Sequence, residues 1–312
     1  VENEDPIIFR DLRITRFSIY PMSYSPSRKE LRVCKTMTVK LKFSKGDAIN
    51  PKNSDRKPIA PSYGRLYRSS VFNYDQVLKE YFGGKEEGHE LMLCIMPDDF
   101  YDTFRDYAEW KRKSGIDIHI TKFSDIGANP SNPQIIKDHI LDAYNNWDVS
   151  PTYVLILGDD GVFPKKIISY DWTFPYDNFY VELEGNDHFP EMMIGRISNQ
   201  TDYRLNIMLH KFELYERQPF TDDPDWFKKG VCCSNNAYES QVDTKRFAAN
   251  RMLDEGKFIS VDTLMSDGDP YGGTPCTYST QDVIDALNDG RSFLNYRGEG
   301  WSSGWWANCY PF

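Results

Sequence analysis

The sequence is short of positive charge and of long apolar runs. Lys and Arg number 37 against 47 Asp and Glu, a net charge of -10. A nucleic-acid binder needs a basic face to neutralise phosphates, so this balance argues against one. An acidic surface suits extracellular solubility or calcium instead. No run approaches the ~18 consecutive apolar residues of a membrane-spanning helix. The first residues, VENEDPIIFRD, have neither a basic n-region nor an apolar h-region. The expectation is a cytosolic chain or one whose leader has been removed. No two of Cys34, Cys94, Cys232, Cys233, Cys276 and Cys309 are spaced C-x-x-C, so zinc is not suggested. His89, His119, His139, His188 and His210 form no i, i+4 pair and no H-E-x-x-H. The glycines near 268–273 do not make a P-loop, because no clear strand precedes them and no Lys-Ser/Thr follows.

What the chain does have is a core. At 312 residues with 40% hydrophobic and 15% aromatic content, it is long enough for two or three compact domains. Residues 1–50 read as β-rich. Leu12–Tyr20 and Leu31–Phe43 alternate apolar and polar positions, and PMSYSPSRKE between them reads as a turn. This predicts a hairpin with one face buried. Residues 51–89, within a polar, Pro/Gly-rich stretch that begins near 44, read as a connector ending in a short helix over 71–82.

From Glu90 the pattern changes. Leu91–Met96 and Tyr153–Leu157 are short apolar runs of the fully buried, parallel-sheet type. Amphipathic stretches at Phe100–Ser114 and Asn132–Trp147 alternate with them, with Gly115 the expected C-cap of the first. Met192–Ile197 adds a strand and Tyr203–Arg217 a helix. After a Pro/Asp-rich loop over 218–228 the alternation restarts. Lys229–Ser234, Phe258–Thr263 and Ser292–Tyr296 read as strands, and Asp243–Glu255 and Thr280–Asn288 as helices, Thr280 being the expected N-cap. The predicted organisation is two α/β subdomains, 90–220 and 221–312, behind the N-terminal β-rich region. Cys94 and Cys232 fall in apolar strands and read as small buried hydrophobes.

The last predicted strand stops in Gly298-Glu299-Gly300. A strand ending in G-x-G at a sheet edge holds its middle side chain where open α/β sheets keep their chemistry. TYVLILGDDGVFP, GNDHFPEMMIGRIS, HKFELYERQ and FLNYRGEGWSSGW, in this order and spacing, resemble the gingipain-type cysteine peptidases. The hairpin YPMSYSPSRKELRVCKTMTVKLKF resembles the N-terminal β-region that precedes the catalytic part in that family.

The resemblance implies a caspase/gingipain-like α/β fold of mainly parallel sheets flanked by helices. It implies a prosegment-like N-terminal region and a bacterial protein, secreted or at the cell surface. It also implies peptide-bond hydrolysis by a Cys–His dyad, with peptide or protein as the partner. Carried over, the imidazole position is Glu299 and the oxyanion N–H belongs to Gly300. The assisting-acid position is Asn236. The residue selecting the substrate side chain falls near Gln241, with Asp243 two residues on. The nucleophilic Cys of the family would end a next strand, past Phe312. The second subdomain is therefore expected to be incomplete, its sheet finished by the rest of the polypeptide or by a second chain. A carboxylate is a weak base toward a thiol and disfavours a neighbouring thiolate. An inactive pseudopeptidase that binds without turnover is thus the alternative to an active enzyme.

Asp187 and Glu191 in GNDHFPE resemble a calcium loop of the family, and a turn before a strand is the other reading. Trp301, Trp305 and Trp306 read equally as a substrate wall or as a cover for the sheet's end. Asp267-Gly268-Asp269 reads as an ordinary turn. Ser302 or Ser303 as a nucleophile lacks a nearby His.

Overall fold

Runs too apolar to face water must pair on both edges and pack on both faces, and these runs organise the chain. The computed structural model describes residues 2–40, 46–52, 57–86, 88–169, 173–235, 239–265, 278–301 and 304–306. The chain divides into two units, residues 1–213 and 214–312.

The first unit opens with short antiparallel strands: β1 (Glu2–Asn3), β2 (Ile7–Phe9), β3 (Leu12–Ile14), β4 (Phe17–Ser18), β5 (Met22–Ser25) and β6 (Glu30–Val33). β2 pairs with β3, β1 with β4, and β5 with β6. Helices α1 (Pro61–Ser70) and α2 (Tyr74–Tyr81) follow. Two expectations are corrected here. The stretch read as a turn contains β5, so the hairpin spans 22–33 rather than 12–43. Its cross-strand pairs Met22–Val33 and Tyr24–Leu31 are exposed rather than buried. An isolated two-stranded ribbon has no second layer to cover a face. The connector also holds α1, started by Pro61 at its first turn and capped by Glu90, whose carboxylate accepts from Ser62 N–H at 2.7 Å and Ser62 Oγ–H at 2.9 Å. Tyr63, Tyr67, Tyr74 and Leu78 from these helices bury against Leu12 and Ile59.

Next come β7 (Leu91–Met96), α3 (Tyr101–Lys113), β8 (Asp117–Lys122), α4 (Phe123–Ile126), α5 (Pro133–Asn146), β9 (Tyr153–Leu157), β10 (Ile167–Ser169), β11 (Thr173–Pro175), β12 (Met193–Ile197) and α6 (Asp202–Arg217). The sheet is parallel, in the order β12-β9-β7-β8. Strand alternation sends Leu93 and Ile95 to a core with Ile136 and Ile140 of α5. It sends Cys94 and Met96 to one with Phe104 of α3 and Leu205 of α6. The C-cap of α3 is Ser114, one residue before the expected Gly115, which follows it with φ +96°.

The second unit contains β13 (Lys229–Ser234), α7 (Glu239–Asp254), β14 (Ser260–Leu264), α8 (Thr280–Asn288), β15 (Phe293–Arg297), β16 (Glu299–Trp301) and β17 (Gly304–Trp306). Its parallel sheet runs β14-β13-β15. Val242 and Ala249 of α7 cover Cys232, and Val283 of α8 covers Cys233, so the sheet is packed on both faces. The N-cap of α8 is Ser279, one residue before the expected Thr280. Ser279 and Asp282 form a reciprocal capping box that Thr280 has no partner to make. The fold is α/β, with mainly parallel sheets flanked by helices and antiparallel strands at the N-terminus.

Candidate active site

The carboxyl ends of β13 and β15 lie side by side. Ser234 stands opposite Arg297, and the Asn235 N–H donates to the Arg297 carbonyl at 3.0 Å, one residue past the strand. Such strand ends are where a parallel sheet presents side chains to a ligand. The Tyr278 hydroxyl supports this edge by donating to the Ser234 carbonyl at 2.7 Å. Ser234 Oγ is buried with no hydrogen-bond partner among the described residues.

The chain turns at Gly298. A Cβ there would overlap the Tyr296 hydroxyl and come within 3.1 Å of the Asn235 Cβ. Tyr296 lies flat on Trp305, with ring centroids 4.4 Å apart and planes 9° from parallel. This stack ties β15 to the hairpin β16–β17, in which Glu299 faces Trp306, Gly300 faces Trp305 and Trp301 faces Gly304. Gly298-Glu299-Gly300 is thus the start of a hairpin rather than a free loop, two of whose three cross-strand pairs join a glycine to a tryptophan. The structure brings Glu299, Gly300, Trp301 and Trp305 together on it. The side chains of Glu299, Trp301 and Trp306 lie outside the described parts, and so does Asn236.

Gln241 and Asp243 sit in the first turns of α7. Two residues apart on a helix they point about 200° apart, so they do not converge. Asp243 is exposed and pairs with Arg246 at 3.6 Å. Lys245 of the same helix is buried and donates to Asn295 Oδ1. Sequence reading passed over it. The available signal was a lysine on the apolar face marked by Val242 and Ala249.

The thiols of Cys94, Cys232 and Cys233 are free and buried. Burial pushes all three up, Cys233 to about 12, with Lys245 only partly opposing it at Cys232 and Cys233. A nucleophile must be thiolate, so none of these three qualifies. Cys276 and Cys309 lie outside the described residues.

Asp187 and Glu191 together accept from four backbone N–H groups. Asp187 Oδ2 accepts from the Ile8 N–H at 2.9 Å and from Asn50 Nδ2 at 3.3 Å, and Oδ1 from the Phe189 N–H at 3.0 Å. Glu191 Oε2 accepts from the N–H groups of Leu183 at 2.6 Å and Glu184 at 3.1 Å. Glu191 is fully buried, and burial first, then Glu184 and Asp187, raise its pKa to about 7 against the two N–H donors. Asp187 and Glu191 Oε2 thus accept from N–H groups, Glu191 Oε1 has no partner among the described residues, and no group of three or more His, Cys, Asp or Glu among them is placed to hold a metal.

Comparison with known proteins bears on these geometries. Residues 85–311 match the sequence model of peptidase family C25, and residues 1–82 match that of the C25 propeptide. Gingipain R2 of Porphyromonas gingivalis is 27% identical over 308 residues, covering 96% of this chain and 40% of the relative. Lys-gingipain W83 of the same species is 24% identical over 313 residues, covering 95% of this chain and 16% of the relative. The chain therefore spans well under half of these relatives. The solved complex of P. gingivalis RgpB pro- and mature domains superposes with TM-score 0.58 at 25% identity, over 69% of this chain and 50% of that one. The crystal structure of the Arg-specific cysteine proteinase gingipain R matches in fold, with TM-score 0.58 at 24% identity over 72% of this chain and 50% of that one.

Proposed function

The chain belongs to peptidase family C25, and from that premise we propose that it is a gingipain-like cysteine-peptidase domain behind its propeptide, receiving peptide across the carboxyl ends of β13 and β15. The observation that carries this reading is the parallel β13–β15 pair, whose ends set Ser234 and Asn235 beside the hairpin of Glu299 and Gly300. Trp305, backed by Tyr296, walls the groove. The Gly300 N–H serves as the oxyanion donor. Glu299, protonated in an apolar surrounding, acts as the acid toward the leaving amine, and the nucleophile attacks as a thiolate that has lost its proton to solvent. A further strand beside β15, from the same polypeptide or a second chain, brings the thiol. The protein acts outside the cell or at the surface of a bacterium, as a secreted peptidase does.

Glu299 itself favours a second reading. At an imidazole position it removes the usual base, leaving a domain that binds peptide without cleaving it. A thiol-reactive peptidyl probe, applied to the full-length protein and to Glu299→His, separates the two. Labelling of the parent, lost when the candidate Cys is replaced, is the outcome expected of the peptidase. Labelling confined to Glu299→His, or none with peptide binding retained, assigns the second reading.

A further inference from the structure

Arg10 occupies a position where an arginine is costly. It is the first residue of the two-residue turn between β2 and β3, at φ +49°, a conformation that favours glycine. Its side chain is only 5% exposed. Strain of this kind persists where the surroundings over-determine it, and here they do. Guanidinium NH1 donates to the carbonyls of Pro151 at 2.7 Å and Glu191 at 2.8 Å, and NH2 to the Ser150 carbonyl at 3.4 Å. Nε stands 3.7 Å from Asp11 Oδ1. The Tyr63 and Tyr144 rings lie 4.7 and 5.8 Å from the guanidinium carbon.

The three accepting carbonyls belong to the chain just before β9 and just before β12, neighbouring strands of one parallel sheet. They sit at the amino ends, opposite the edge where such sheets carry chemistry. Carbonyls fixed by a sheet and set apart to match a planar fork select a guanidinium over an ammonium. A cavity of about 70 Å³ borders Arg10, Lys57, Tyr144 and Ser150, so the pocket connects to a space a small ligand can enter.

We propose that the amino ends of β9 and β12 form a guanidinium-binding socket, filled by Arg10, which holds residues 1–82 on the α/β part of the first unit. Its consequence concerns the connecting loop. Gly83, Gly84 and Lys85 are exposed, and a side chain at either glycine would meet open space. Cutting there leaves the N-terminal region in place as long as the socket is filled. The proposal does not depend on whether the chain catalyses.

The test is chemical rescue of Arg10→Ala in the full chain. The variant is expected to melt on the order of 10 °C lower, since it strips the carbonyls of their donor. Millimolar ethylguanidinium restores part of the loss, and it restores slow amide exchange in β2 and β3, while ethylammonium does neither. Arg10→Lys stays close to Arg10→Ala. Equal rescue by both cations, rescue by neither, or a lysine variant as stable as the parent overturns the socket. If Arg10→Ala is recovered unfolded, ethylguanidinium is supplied during refolding, and failure to recover folded protein counts against the proposal in the same way.

Discussion

Glu191 shows how one side chain sets a pH dependence. Its carboxyl is fully buried with Oε1 unpartnered among the described residues, and burial raises its pKa from 4.5 to about 7. Below pH 4.5 folded and unfolded chains are both protonated there. Between 4.5 and 7 the unfolded chain releases its proton first, so stability falls by about 1.4 kcal/mol per pH unit. Above the folded pKa the loss is complete, at roughly 3 kcal/mol. Glu191→Gln keeps an oxygen for the Leu183 and Glu184 N–H groups and has no charge to bury. Urea unfolding is expected to show the variant about 2–3 kcal/mol more stable than the parent at pH 8, with the difference vanishing near pH 4. Calcium or a chelator is expected to leave the parent's Tm unchanged at pH 7. A calcium-dependent rise would instead assign Glu191 and Asp187 to a cation.

The turn from β15 into β16 is an element whose two glycines differ. At Gly298 a Cβ meets the Tyr296 hydroxyl, and that ring is stacked on Trp305. At Gly300 the nearest atoms lie 3.9 and 4.0 Å away, ordinary contact. Gly298→Ala is therefore expected to cost about 1–3 kcal/mol and weaken the near-ultraviolet dichroism of the stacked rings. Gly300→Ala should stay within roughly 0.5 kcal/mol. Equal effects would show that the stack does not fix the turn. Leu91–Met96 and Tyr153–Leu157 were legible because a strand packed on both faces has to be apolar, and the strand in FLNYR because it follows a helix in the same strand–helix alternation. The hairpin after it was not, because its pairing rests on glycines and tryptophans that suit a loop equally well. Helix α1 was hidden for a related reason. Its stretch PSYGRLYRSS carries Pro, Gly and Ser, and the burial of Tyr63 and Tyr67 against Leu12 outweighs their weak helix propensity. Nor was Arg10 legible. A charged residue in a turn reads as solvated, and the carbonyls that hold it lie about 140–180 positions further along the chain.

At the scale of the whole molecule the two parallel sheets are wound alike. In the first, β7 is flanked by β8 on one side and by β9 on the other, and β12 pairs the outer edge of β9. In the second, β13 is flanked by β14 and then by β15, and the outer edge of β15 pairs with no strand among the described residues. The same strand carries Phe293 and Arg297 exposed, whereas no residue of β9 is exposed. An edge strand offers half of its N–H and C=O groups to water and so to another strand. The strand proposed to carry the thiol takes the place on β15 that β12 takes on β9, parallel to it. Amide exchange tests this directly. For these 312 residues alone, alternate amides of β15 are expected to exchange quickly and the rest slowly. In the protein as its own host makes it, a docked strand slows both sets. Fast exchange of the outward amides in both samples would mean that nothing pairs with β15, and the thiol would then have to reach Glu299 from elsewhere than a neighbouring strand.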